Sequence, residues 1–362
     1  MRTNNKNRFA YLDVFRGGAA LAVCIQHMFG YIYSTVDKLH PLYSMTKIIV
    51  VDSVNWGLFG VILFFLVSGF IIPNSLKKGT PLRHFFISRM FRLYPAYWFV
   101  LALIFITAGY LGHTQGHYSY GQLMANMTMM PKLFGASEMS GIFWTLFIEI
   151  LFYTCCVVLF KLNWLNKPLV IGLVVIGLNL VTPLSIVLNK LFQLNIPIQF
   201  MLFHLSFLFA GNLLRLAYVE GDQSSKYFSK VFIFILMFTI PISTGLLFNV
   251  PEATQKGFVV FSAWSVVNAF ILAMIIFLYA ICLKNLNNKF MLGLGEISYS
   301  LYLFHMLCFV IVMKFIPPNN WFNSLLFILI SAVLAYFVAK IVFKYIEHPS
   351  ILMGKKMIKN YA

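Results

Sequence analysis

Ten apolar stretches recur along this chain, at about 12–33, 56–73, 93–112, 142–161, 168–188, 198–217, 230–249, 259–283, 294–313 and 324–345. Each is close to the roughly 20 residues a helix needs to cross a hydrocarbon layer about 30 Å thick. Inside that layer a backbone must satisfy its own hydrogen bonds, which makes the helix the natural spanning element. Only 10% of the residues are charged and 60% are hydrophobic, whereas a soluble domain carries about 25% charged residues. The expected fold is all-α: a polytopic transmembrane helical bundle of about ten spans.

The net charge of +17 does not signal a nucleic-acid partner, because the basic residues are spread over several short loops. They read instead as topological signals. With the N-terminus inside, the loops 77–92, 162–167, 218–229 and 284–293 and the tail are cytoplasmic. Only Lys38, Lys47, Lys132, Lys190, Lys256 and Lys314 of the 27 Lys and Arg then fall outside. Both termini are therefore expected in the cytoplasm. The first apolar run contains Asp13, Arg16 and His27, unlike the uniform core of a cleaved signal, so it is expected to stay as a helix. The organisation reads as a cytoplasmic arm (1–8), one transmembrane domain (9–345) and a basic cytoplasmic tail (346–362). Cys24, Cys155, Cys156, Cys282 and Cys308 all lie in apolar runs without paired or metal-binding spacing, and read as small buried hydrophobes. No internal repeat is evident.

Ionisable residues at membrane depth are costly and mark function. Arg16 and His27 are eleven residues apart, so on one helix they share a face and stand roughly 16 Å apart. Residue counting puts Glu149, seven residues into a span running the other way, at nearly the depth of His27. His204 falls near that level and His305 a little deeper. Imidazole can take a proton from a hydroxyl, and a carboxylate on its other nitrogen would orient it. His27 and Glu149 are thus the expected catalytic pair.

The stretch Lys77 to Pro95 carries Arg83, Arg89 and Arg92 at the cytoplasmic edge. Arg89 and Arg92, three apart, project to one side of a helix, and guanidinium forks suit phosphate oxygens. Ser68-Gly69 suits close helix packing or a channel wall. Ser298, Tyr302 and His305 form a polar stripe on an otherwise apolar span, facing the interior or a wet cavity. No phosphate-binding loop, dinucleotide glycine pattern, metalloprotease or nucleophile-elbow motif stands in a supporting context, and no metal site is expected.

Tyr11-Leu12-Asp13-Val14-Phe15-Arg16-Gly17, leading to His27, resembles the opening motif of the acyltransferase-3 family. Gly60 to Phe70 is similar to its second motif and Arg89-Met90-Phe91-Arg92-Leu93-Tyr94-Pro95 to its third. Phe143-Trp144-Thr145-Leu146-Phe147-Ile148-Glu149 resembles its fourth, and Leu294 to His305 its closing motif. The motifs run in the family's order from about residue 8 to 345. Thr145 and Ile150 depart from it, standing where the family commonly has Ser and a second acidic residue. That departure speaks against a mechanism needing adjacent carboxylates.

The resemblance implies a membrane-bound O-acyltransferase of bacterial glycans in its stand-alone form, in the bacterial inner membrane. It further implies cytoplasmic acyl-CoA, acetyl-CoA by default, as co-substrate with no bound cofactor, and a cell-surface or lipid-linked glycan hydroxyl as acceptor. Arg16, Arg83, Arg89 and Arg92 would hold the CoA. His27 would be general base or transient acyl carrier, oriented by Glu149. Ser298, Tyr302 or His305 would donate to the oxyanion. The rival readings are a transporter of an anionic metabolite or lipid-linked sugar and a non-catalytic membrane subunit. A transporter predicts matched, broken repeat spans, which the sequence lacks.

Overall fold

The computed structural model describes residues 10–36, 38, 41–111, 118–192, 199–248, 262–283 and 288–360. The expected N-terminal arm lies outside the described residues, as do the ends of expected spans at 112, 198, 249 and 259–261. Among the described residues every regular element is helical. In chain order these are α1 (Ala10–Thr35), α2 (Pro41–Lys47), α3 (Trp56–Ile71), α4 (Leu82–Leu111), α5 (Tyr120–Met127), α6 (Trp144–Lys161), α7 (Pro168–Phe192), α8 (Gln199–Tyr218), α9 (Gln223–Phe248), α10 (Ala263–Leu283), α11 (Lys289–Glu296), α12 (Ser298–Phe315), α13 (Trp321–Val342) and α14 (His348–Asn360). Nine described helical stretches are long and apolar enough to cross a membrane. To these α1 adds a helix of 26 residues, less apolar because it carries Asp13, Arg16, Gln26 and His27. The chain is a polytopic helical membrane protein.

Three elements differ from the sequence reading. The basic stretch is not a loop throughout: α4 starts at Leu82, so Arg83, Arg89 and Arg92 all ride on a helix. The expected span 294–313 is interrupted at Ile297, where Ser298 donates from Oγ to the Gly295 carbonyl (2.8 Å). The stretch after 345 forms a π-helical turn (Phe343–Glu347) and then α14. That helix packs on α4, with Ser350 Oγ donating to the Phe91 carbonyl at 2.7 Å.

The segment before α6 is also folded. A Ser119–Gln122 capping box opens α5. Tyr97 OH, Trp98 Nε1 and Tyr94 OH donate to the carbonyls of Asn126 (2.8 Å), Met127 (3.0 Å) and Thr128 (3.2 Å), tying it down onto α4. Asn126 completes the tie, accepting from Met139 N and donating to the Gln122 and Ser137 carbonyls. At the opposite end of the bundle the buried Arg215 joins three connections. Its guanidinium donates to Asn212, Asn166 (2.8 Å), Asn74 (3.2 Å) and Glu220.

The bundle centres on α1, which packs against α3, α11 and α12, while α3 also packs on α8 and α10. Two glycines permit backbone-to-backbone contact. A Cβ on Gly69 would overlap the Leu208 carbonyl, and one on Gly295 would overlap that of Asp13. Gly69 is therefore a packing residue between α3 and α8. Gly69→Ala is expected to force these helices apart and lower the thermal unfolding midpoint by several degrees, at a cost of about 1–3 kcal/mol. A Cβ on Gly18 meets nothing within 4 Å, so Gly18→Ala should leave the midpoint unchanged or raise it. Equal midpoints for the two variants in one detergent would contradict this packing role. The five cysteines are all free; Cys24, Cys156 and Cys308 are buried as expected, but Cys155 is half-buried and Cys282 exposed.

Candidate active site

Three cavities lie in sequence along the inward face of α1. "Inner" and "outer" follow the orientation given by the Lys and Arg distribution. The inner cavity, about 550 Å³, is lined by Arg16, Arg89, Arg92, Glu149, Glu347 and Lys355, among others. A waist of about 60 Å³ follows, and it shares Arg16, Ser68, Arg92 and Glu149 with the inner cavity. The outer cavity, about 330 Å³, holds His27 with Gln26, Tyr31, Asn55 and Trp144. Tyr302 and Val61 line both the waist and the outer cavity. The helical spacing of Arg16 and His27 thus places one at each end of the waist.

The inner cavity combines fixed charge of both signs. Arg16 faces Asp13 on its own helix at 3.7 Å. Arg89 donates to Ser75 Oγ (3.3 Å) and lies over the rings of Phe85 and Tyr153, 5.6 Å from each centroid. Arg92 reaches both inner cavity and waist. Arg83 is exposed near the start of α4 and is not among the residues lining these three cavities. Glu347, 2% exposed, accepts from Ser300 Oγ at 2.6 Å. It is brought to the cavity by the π-helical turn, an irregularity common at functional sites. Sequence reasoning missed it by ending the last span at 345; a lone carboxylate at the end of an apolar span was the available signal.

At the outer end the neighbours are not those expected. His27 Nδ1 lies 3.0 Å from His305 Nε2, with the rings stacked at 5.2 Å between centroids. Glu149 instead accepts from Tyr153 OH (2.6 Å) and lines the waist and inner cavity beside Arg16 and Arg92. The expected contact between His27 and Glu149 is therefore replaced by His27–His305. The reason lies in α6, which starts at Trp144 beneath the folded segment 118–143. Trp144 is the α6 residue that shares the outer cavity with His27, and Glu149 is about 7.5 Å further along the helix at 1.5 Å per residue.

The hydrogen bonds fix the tautomers. His305 Nδ1 faces the carbonyls of Tyr302 (2.7 Å) and Leu301 (3.2 Å), so that nitrogen carries the proton and Nε2 is the acceptor. His27 must then donate from Nδ1, leaving its Nε2 unprotonated. A base at the end of such a chain is held in one orientation, as in a catalytic triad. Fully buried behind His27, His305 does not line the outer cavity, and its proton is committed to backbone. It is in no position to meet an oxyanion there. Ser298, also fully buried, is committed to the Gly295 carbonyl. Tyr302 does line the cavity, but its OH and Thr145 Oγ1, 2.8 Å apart, converge on the Ile142 carbonyl. Thr145, where the resemblance leads one to expect Ser, keeps that hydroxyl in place.

Residues 9–343 match the family description "Acyltransferase domain". The chain belongs to the acyltransferase-3 family. It is 22% identical to Nodulation protein 10 of Rhizobium leguminosarum bv. viciae over 98% of this chain and 96% of that protein. It is also 23% identical to the "Putative acetyltransferase ORF330" of Acidianus two-tailed virus, over 84% of each. No solved structure matches it. As an acyltransferase-3 protein with membrane-spanning helices, the chain is a membrane acyltransferase. The residues the resemblance singled out converge on one line of cavities, save Arg83, Ser298, His305 and Gly69. Among the described residues no cluster of His, Cys, Asp and Glu forms a metal site.

Proposed function

We propose that this acyltransferase moves an acyl group from cytoplasmic acyl-CoA to a hydroxyl of a cell-surface or lipid-linked glycan at a bacterial inner membrane. Acetyl is the favoured group, in keeping with the name of the viral relative. The observation that carries the reading is the arginine-lined inner cavity joined through a narrow waist to the cavity of His27.

In this reading Arg89, Arg92 and Arg16 grip the donor's phosphates, and its slender arm enters the waist between Ser68 and Tyr302. The thioester then meets the acceptor beside His27. His27 Nε2 takes the hydroxyl proton as the oxygen attacks the thioester carbon, and His305 holds the ring. Trp144 and Asn55 give the outer cavity an aromatic face and an amide group suited to a sugar. No Asp, Glu, Lys or Arg is among its described lining residues, which favours an uncharged sugar unit.

The decisive experiment is release of free thiol from acyl-CoA by the purified protein in nanodiscs, with and without neutral oligosaccharide acceptors. Acceptor-dependent release is expected. Acceptor movement without thioester consumption would support a transporter and remove this reading. Arg92→Ala should weaken acyl-CoA binding about tenfold or more, since charge-assisted hydrogen bonds contribute roughly 1.5–3 kcal/mol. Arg92→Lys should lose part of that, because charge remains but the fork does not. Unchanged affinity in both variants, measured directly, would place the donor elsewhere.

A further inference from the structure

Gln26 immediately precedes His27 and lines the same outer cavity. It is 5% exposed, and its orientation is fixed chemically: the Trp56 backbone N–H donates to Oε1 at 3.0 Å. A backbone N–H requires the amide oxygen, so the NH2 group points the other way. That nitrogen, Nε2, is buried and has no hydrogen-bond partner among the described residues. A buried amide donor without a partner is unfavourable, and in native proteins such a group calls for an explanation. The surroundings are shaped to keep it there. A Cβ on Gly57 would stand 3.1 Å from Gln26 Cγ, so glycine leaves the side chain its room.

Acyl transfer needs a donor where negative charge develops, and preorganised donors of this kind are among the largest contributions to catalysis. The three side chains that the sequence suggests for this task are engaged elsewhere, as shown above. We propose that Gln26 Nε2 is the hydrogen-bond donor to the oxyanion formed at the acyl carbonyl. The inference rests on the proposed acyl transfer at His27. As the acceptor oxygen bonds to the carbonyl carbon, its proton passes to His27 Nε2 and the C=O π pair moves onto the carbonyl oxygen. Gln26 donates to that oxygen. When the pair returns, the C–S bond breaks and the thiolate takes the proton from His27, leaving an ester and a free thiol.

Two variants separate this role from packing. Gln26→Glu keeps the shape and the oxygen that Trp56 requires but replaces the donor with an acceptor. Gln26→Met keeps length and loses both groups. In each, kcat is expected to fall about 100-fold or more. KM for acyl-CoA and for acceptor should stay within about threefold, the signature of an interaction made in the transition state. Thermal unfolding reports whether each variant is intact. Should both unfold, Gly57→Ala crowds Gln26 Cγ and displaces the amide without removing a polar group, and a kcat loss of about tenfold is then expected. Unaltered kcat in the folded variants, or a rise in KM alone, overturns the inference while leaving wild-type acyl transfer standing. A wild-type protein that releases no thiol overturns the reading beneath it, and this inference with it.

Discussion

His27→Ala is expected to lose acyl transfer by about 10²–10⁴-fold, the range associated with general-base catalysis, while the protein still folds and binds acyl-CoA. The substitution removes the unprotonated Nε2 from the outer cavity and leaves the inner cavity, some 16 Å away along α1, untouched. Thiol release with acceptor present, set beside direct acyl-CoA binding, reads the two ends separately. Retention of more than a tenth of wild-type turnover in a folded variant would remove His27 from the chemistry. Loss of donor binding together with turnover would point to collapse of the bundle instead.

His305→Leu should produce a loss of about 100-fold or more, although this side chain does not line the outer cavity. Without the Nε2 acceptor at 3.0 Å, the His27 ring loses the side-chain partner that sets its orientation and tautomer. In a serine protease triad, the wrong tautomer alone costs about 10⁴-fold. A structural role would be satisfied by any side chain of similar bulk. His305→Gln distinguishes the two, because a Gln oxygen can accept from His27 while its amide faces the Tyr302 carbonyl. Partial recovery of kcat in His305→Gln relative to His305→Leu is expected. Equal activity in the two folded variants would reduce His305 to packing.

The spans were legible because each is a long apolar run, and the Arg16–His27 relation was legible because helical spacing converts directly into distance. What residue counting could not supply was where each helix begins. Glu149 was placed level with His27 on the assumption that α6 starts at the surface. Asn126 and the tyrosine and tryptophan side chains of α4 hold residues 118–143 over that helix, and this arrangement depends on side-chain bonds between distant parts of the chain. The His27–His305 bond was hidden for a similar reason, since depth along the membrane normal says nothing of which helix stands beside which. Gln26 drew no notice because a glutamine in a span is informative only once its oxygen is seen to be engaged and its nitrogen not.

The waist bears on the membrane as well as on the reaction. At about 60 Å³ it is far smaller than the cavities of about 550 and 330 Å³ on either side, and it narrows the route between them. A protein that joins one face of an energised bilayer to the other through a line of cavities risks discharging the gradient that the cell maintains. Here the narrow stretch between the two roomy ends is lined by Phe64, Phe65, Val61 and Tyr302, among others. In the proposed reaction, an arm threaded between them would fill that space and act as a plug. Widening the waist to admit bulkier groups, for example by Phe65→Ala, would therefore be paid for in proton leak, and broader substrate range and a tight membrane pull in opposite directions in this architecture.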